Sequence, residues 1–190
     1  MRLGAVFFGA VLAMGCSLSY VPIAEQVLAE GHHTSLGHRF AASVQPSRDV
    51  GWYGGVERDV LWTLGEAPLY SPDQFRDRIV FGYASLPLPH RPSRLGLEGG
   101  IHLGVGKLPL GDETIPTAFG GARLAVPIRI TQHREFWELE NNLAATPLIV
   151  PSIGWNLHLP LPLGDGDDRL RSELEFGLGF RVHFWSTLVP

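Results

Sequence analysis

From Arg169 to Trp185 the side chains alternate with a period of two. Leu170, Ser172, Leu174, Phe176, Leu178, Phe180, Val182 and Phe184 share one face. Arg169, Arg171, Glu173, Glu175, Gly177, Gly179, Arg181, His183 and Trp185 share the other. Successive side chains of a strand point to opposite faces, so the run predicts one strand with an apolar face and a charged or glycine face. Ordinary strands run about five or six residues. A strand that crosses a bilayer needs roughly 9–11 of this alternation.

The same pattern recurs along the chain. Leu36 to Val44 places Leu36, His38, Phe40, Ala42 and Val44 together, and a turn at Gln45-Pro46-Ser47-Arg48-Asp49 follows. Val50 to Val56 sets Val50, Trp52, Gly54 and Val56 against Gly51, Tyr53, Gly55 and Glu57, then blurs over Arg58 to Leu64, as at a bulge. Ser71-Pro72-Asp73 reads as a helix start, with one turn over Gln74 to Arg78. Further strands are expected at Arg78–Leu88, Ser93–Lys107, Ala118–Ile130, Glu135–Asn141 (weaker) and Leu148–Leu163. Leu108 to Pro116 reads as a loop, and Gly164-Asp165-Gly166-Asp167-Asp168 as a hairpin turn before the final strand. Pro127, Pro147, Pro151 and Pro160 mark bulges or strand ends.

Neighbouring strands joined by loops predict an all-β fold, an up-and-down antiparallel β-barrel of about eight strands over residues 36–190. Residues 1–15 read as a signal peptide and 16–35 as an N-terminal tether, with one or two helical turns near Pro22 to Leu28.

Composition narrows the setting. Hydrophobic residues make up 45% of the 190 and charged residues 18%, below the roughly 25% of soluble domains. Of 15 basic residues only Lys107 is a lysine, which argues against a large wet exterior. The net charge is −4 with no basic tract, so nucleic acid is not expected as a partner. Cys16 is the sole cysteine, which excludes an intramolecular disulfide.

Alternation alone leaves open which face is wet. Apolar faces outward would make a transmembrane barrel with a polar lumen. Apolar faces inward would make a soluble, lipocalin-type barrel with an apolar cavity. Three features favour the first. Gly96, Gly100, Gly104, Gly106, Gly177 and Gly179 fall on the polar face, where a narrow lumen accepts only some side chains. The polar-face charges are mixed in sign and can pair. Trp52, Trp137, Trp155 and Trp185, with Tyr53 and Tyr83, would serve as aromatic girdles. The expected lumen face comprises Arg94, Glu98, His102, Arg123, Arg129, Asn156, His158, Arg171, Glu173, Glu175, Arg181 and His183.

The run Phe176 to Trp185 resembles the closing strand of small bacterial outer-membrane β-barrel proteins, although Ser186 to Pro190 follow the aromatic that normally ends it. The leader MRLGAVFFGAVLAMGC carries Arg2, the uncharged run Leu3 to Met14, and Leu12-Ala13-Met14-Gly15-Cys16, which resembles a bacterial lipobox. Ala13 and Met14 depart from that family's usual leucine and small residue. The resemblance implies acylation of Cys16 as the mature first residue and, through Ser17, sorting to the outer membrane. Loss of residues 1–15 removes Arg2 and takes the charge from −4 to −5. The alternative is an ordinary secretory peptide cut later, for example after Ala29, which would discard Cys16.

Candidate chemistry is sparse. His102, His158 and His183 on polar faces, with Glu98 or Glu175, would suit zinc, but no HExxH or CxxC motif accompanies them. His32-His33 with His38, and the acids at 165–168, read as surface and turn chemistry. No GxSxG motif is present, and His183 and Ser186 would point to opposite strand faces. Neither catalytic residues, metal nor cofactor is therefore expected. The reading is a monomeric, non-catalytic outer-membrane barrel lipoprotein with a structural or surface-interaction role. Its partners would be membrane lipid and an envelope protein or apolar ligand that no motif specifies. The alternatives are a lipid-anchored soluble barrel carrying an apolar ligand in the periplasm, and an envelope lipid-modifying enzyme.

Overall fold

The structure, a computed structural model, describes residues 15–28, 34–47, 49–64, 74–110, 113–130, 138–139, 143–161 and 170–186. Eight long strands form the wall: β1 (Gly15–Val27), β2 (Thr34–Gln45), β3 (Val50–Thr63), β4 (Gln74–Ser85), β5 (Leu97–Leu110), β6 (Glu113–Ala125), β9 (Leu143–Pro160) and β10 (Arg171–Ser186). Two-residue strands β7 (Ile128–Arg129) and β8 (Glu138–Leu139) lie between β6 and β9 and pair with β9. Each wall strand pairs antiparallel with its neighbours, and β1 closes the barrel by pairing with both β2 and β10. Closure removes every free sheet edge.

The number of wall strands is as expected, but two of the assignments differ. The expected tether 16–35 contains β1, with Cys16 opposite Val44 and Phe184. Of the expected strand 135–141 only 138–139 are among the described residues, where they form β8. No helical turn forms over 74–78, which starts β4, and the ladder of β3 continues unbroken through Arg58 to Thr63. The loop expected at 108–116 is largely strand, since Leu110 pairs with Glu113. Pro127 falls in the break between β6 and β7.

The polarity of the wall is opposite to that of a soluble protein. Leu18, Phe40, Val56, Ile79, Ile101, Leu103, Leu124 and Leu178 face outward and are about half to two-thirds exposed. Glu25, Arg39, Asp59, Arg76, Glu173 and Glu175 face inward and are almost wholly buried. Glycines on the inward face make the space. A Cβ on Gly104 would stand 2.6 Å from the Phe119 ring, and one on Gly106 2.6 Å from Arg76 Cγ.

The end of the barrel where β1 starts is here called proximal; the joins β1–β2, β3–β4, β5–β6 and β9–β10 lie at the distal end. The proximal mouth is closed by an apolar plug. Pro87 breaks the ladder after β4, and the chain folds inward so that Leu86 and Leu88 are buried against Tyr53, Ala84, Ala125, Leu148 and Trp185. Leu86 N–H donates to Asp49 C=O at 2.6 Å, and an Arg129 guanidinium nitrogen donates to Leu88 C=O. This detour explains why Arg94 does not face the lumen. β5 begins only at Leu97, Leu95 makes an isolated bridge to Ile128, and Arg94 lies on the exposed connection.

The connection is latched to the 45–49 turn. Arg91 Nε donates to Asp49 Oδ2 at 2.6 Å, and His90 Nε2 lies 3.0 Å from the same oxygen. Burial pulls the Asp49 carboxyl up, but the Arg91 and His90 hydrogen bonds outweigh it and hold the group below its ordinary value of 3.8. A carboxyl depressed on folding contributes stability above its unfolded pKa and loses it as pH falls through the folded value. Limited proteolysis of the 86–96 segment should therefore stay slow at neutral pH and accelerate below about pH 4, while Asp49→Asn should be sensitive across the whole range.

Candidate functional site

The interior is a continuous stack of ion pairs. Nearest the distal end, Arg76 from β4 bridges β1 and β10. Its Nη1 lies 2.8 Å from Glu25 Oε2 and 2.8 Å from Glu173 Oε1, and its Nη2 donates to Glu173 Oε2 at 3.0 Å and Gln74 Oε1 at 3.1 Å. Asn156 Nδ2 adds a bond to Glu173 Oε1 at 2.9 Å.

One layer further in, Arg39 from β2 donates to two carboxylates at once. Its contacts are 2.7 and 2.9 Å to Asp59, and 2.5 and 2.6 Å to Glu175. Arg78 donates to the same two acids and stacks over Phe119, with 5.2 Å from its guanidinium carbon to the ring centroid. Toward the plug, Arg123 grips Glu57 with both terminal nitrogens, and Arg39 Nε lies 3.3 Å from Glu57. Arg181 pairs with Glu98.

Almost all of the expected lumen residues are here. Glu98, His102, Arg123, Asn156, His158, Glu173, Glu175 and His183 are buried inside; Arg129 holds the plug; Arg171 and Arg181 are half-buried on β10. Arg94 is the exception. The histidines do not converge. His102 Nε2 lies 2.6 Å from Asn156 Oδ1, His158 stacks on Phe119 with ring centroids 5.1 Å apart, and His183 sits near the proximal end. His38 is on the outer face, stacked with Tyr20, while His32, His33 and the 165–168 acids lie outside the described residues.

Sequence reasoning missed Glu25, Arg39, Asp59, Gln74, Arg76 and Arg78 as site residues. It also missed Ser17, whose Oγ lies 2.8 Å from His183 Nδ1 across the β1–β10 closure. A serine beside a histidine suggests nucleophilic chemistry. This pair, however, points into the sealed interior, with Ser17 and His183 only 6% and 0% exposed. The free space among Ser19, Arg39, Glu57, Arg123 and Arg181 is about 10 Å³, the threshold for a single water. Carboxylates of Glu25, Asp59 and Glu175 lie close enough to share a cation. Arg39, Arg76 and Arg78 already occupy them, so a metal ion would have to displace guanidinium groups.

Removing one partner from a buried ion pair leaves a desolvated charge and costs about 3–5 kcal/mol. Arg39→Ala should destabilise the barrel by that order, and Arg39→Lys by somewhat less, because an ammonium keeps the charge but not the fork. Urea unfolding in detergent micelles, followed by tryptophan fluorescence, measures both. A loss below about 1 kcal/mol for Arg39→Ala would mean that the network does not hold the wall together.

The sequence matches no protein-family model and no curated protein. Among solved structures it is similar to Neisserial surface protein A, with a TM-score of 0.51 and 13% identity over 90% of this chain and 96% of that one. The likeness is one of fold: a closed, eight-stranded antiparallel barrel.

Proposed function

We propose that this chain is an outer-membrane β-barrel lipoprotein with a non-catalytic, structural or surface-interaction role in the bacterial envelope. The observation that carries the reading is the inverted wall, apolar outside and ionic inside. Of the rings expected as girdles, Tyr53 and Trp185 are buried in the plug and Trp137 lies outside the described residues, while Trp52 and Tyr83 border the apolar belt. Trp52 stacks on Phe81 and meets Tyr83 edge-on near the proximal margin, and Trp62 stands at the distal one with its ring edge-on to His38. Trp52 and Trp62 stand ten positions apart on β3. At a rise of about 3.3 Å and a tilt of about 40°, that separation is roughly 25 Å along the barrel axis, the height of an outer-membrane apolar band.

Cys16 supports the lipid anchor. It has the outward parity of Leu18 and Tyr20 and lies at the proximal margin of β1, where attached acyl chains would enter the same bilayer as the belt. Cleavage before Cys16 leaves β1 almost whole, whereas cleavage after Ala29 would remove a strand paired on both sides. The filled lumen and plugged mouth support a role other than transport or catalysis.

A Cys16→Ser variant exported by an ordinary secretory leader separates insertion from anchoring. It should stay in the outer-membrane fraction and show heat-dependent gel migration. Recovery as soluble, folded β-protein would overturn the membrane reading. Mass spectrometry of the native chain should find an acylated amino-terminal Cys16; an unmodified terminus would remove the anchor and leave the barrel.

A further inference from the structure

The outward face of β1 to β5 carries a feature that lipid does not explain. Arg58 on β3 and Asp77 on β4 are direct cross-strand partners, and both point away from the barrel. Arg58 Nε donates to Asp77 Oδ1 at 2.6 Å and Nη2 to Oδ2 at 2.8 Å, with the two side chains 63% and 53% exposed. Arg58 is six positions from Trp52 and four from Trp62, roughly 10 Å inside the distal margin of the belt. Val56, Val60, Phe75 and Ile79 flank the pair along the two strands. Ionisable groups at such depth are costly to leave against lipid and are usually covered by protein. Lys107, another outward cation, stands two positions nearer the distal margin than Val105, where a long stem carries its ammonium to water.

Around the pair the wall forms a shallow groove of about 980 Å³, lined by Leu18, Phe40, Val56, Leu103 and Val105. Ala42, a small outward residue between Leu18 and Val56, lowers its floor and permits close approach of another wall.

We propose that this groove is where two copies of the chain meet, related by a two-fold axis parallel to the barrel axis. The inference rests on the outer-membrane reading. The argument is charge complementarity. Arg58 and Asp77 sit side by side at nearly the same height. A two-fold rotation about the membrane normal therefore sets the Arg58 of one copy against the Asp77 of the other, and the reverse. Such an isologous contact needs a self-complementary patch, which one cation beside one anion provides. An anionic lipid headgroup would require net positive charge, and here the pair is neutral with the guanidinium fork engaged by Asp77. A second copy joins two ion pairs into one four-membered network and shields both from lipid.

The test uses full-length chain labelled at Gly166→Cys with donor or acceptor dye and reconstituted into phosphatidylcholine vesicles. Flotation first shows whether the chain enters the bilayer. Energy transfer should exceed the random-encounter level at least threefold. Arg58→Asp alone and Asp77→Arg alone should each return it to that level, because each variant repels itself. Mixing the two variants in equal amounts should restore transfer, because each then faces its opposite charge. Val105→Trp, which fills the groove and leaves both charges, should also abolish transfer, and it decides the matter if a charge variant fails to show the heat-dependent gel shift of a folded barrel. Random-encounter transfer in the native chain, or transfer undiminished in the charge variants, overturns the proposal. Failure of the native chain to float overturns the membrane reading and the dimer with it, a result distinct from a floated monomer.

Discussion

The double grip of Arg39 on Asp59 and Glu175 is the constraint around which the rest of the barrel is arranged. Eight strands enclose a lumen wide enough for side chains and little else. Once the apolar faces point outward, that lumen must be filled with polar groups that satisfy one another, because a buried charge without a partner costs several kcal/mol. Arg39 joins β2 to β3 and β10; Arg76 joins β4 to β1 and β10; Arg123 joins β6 to β3. Apart from Arg39 with Asp59, the pairs thus tie together strands that are not neighbours in the wall, and the ladder around the wall fixes their heights. Each depends on the other: the register sets acid against base, and the ion pairs resist any slip of the register.

The composition follows from this arrangement. A lysine is a point charge that meets one carboxylate well, whereas a guanidinium offers a planar fork that reaches two. The described interior uses arginine for every cation, and the lone lysine of the chain, Lys107, faces outward. The low lysine count is therefore a consequence of where the cations sit as much as of a small wet surface. The glycines have a matching origin. Phe119 and the Arg76 stem occupy the room left by Gly104 and Gly106, so glycine on the polar face marks the footprint of a large side chain from another strand.

Legibility in the sequence tracked the contrast between the two faces. β5, β6 and β10 place apolar residues on one side and charges or glycine on the other, and a period of two reveals them without tertiary information. β1 lacks that contrast: Val21 and Ile23 face inward while Pro22 and Gln26 face outward, so the alternation vanishes. In the distal half of β3 the adjacent charges Arg58 and Asp59 belong to opposite faces, outward and inward, and together they imitate a break. The candidate site was legible where polar residues lay on clear strands, at Glu98, His102, Arg123, Glu173 and Glu175. The rest was hidden because each ion pair is a long-range event; Arg39 and Glu175 are 136 positions apart. Arg94 was misplaced for a different reason. Its alternation is real in sequence, but burial of Leu86 and Leu88 in the mouth draws the chain off the wall before β5 begins.

Missing one strand also has a consequence out of proportion to its length. In an up-and-down barrel every strand reverses direction, so omission of β1 assigns each connection up to the extra strand expected at 135–141 to the wrong end, and that extra strand restores the 164–168 turn to the right one. Counted from Leu36, the 45–49 turn falls on the side away from the start of the wall; counted from Gly15, it falls on the same side, together with the plug, the start of β1 and the end of β10. Among the described residues, a short turn, a latched connection and an apolar stopper then share that end. Under the lipoprotein reading, Cys16 assigns this proximal end to the periplasmic leaflet, and the joins following β1, β3, β5 and β9 are the parts directed to the outside. Sidedness thus rests on one strand whose own sequence pattern is the least regular in the wall, and what fixes that strand is the two neighbours it must close between.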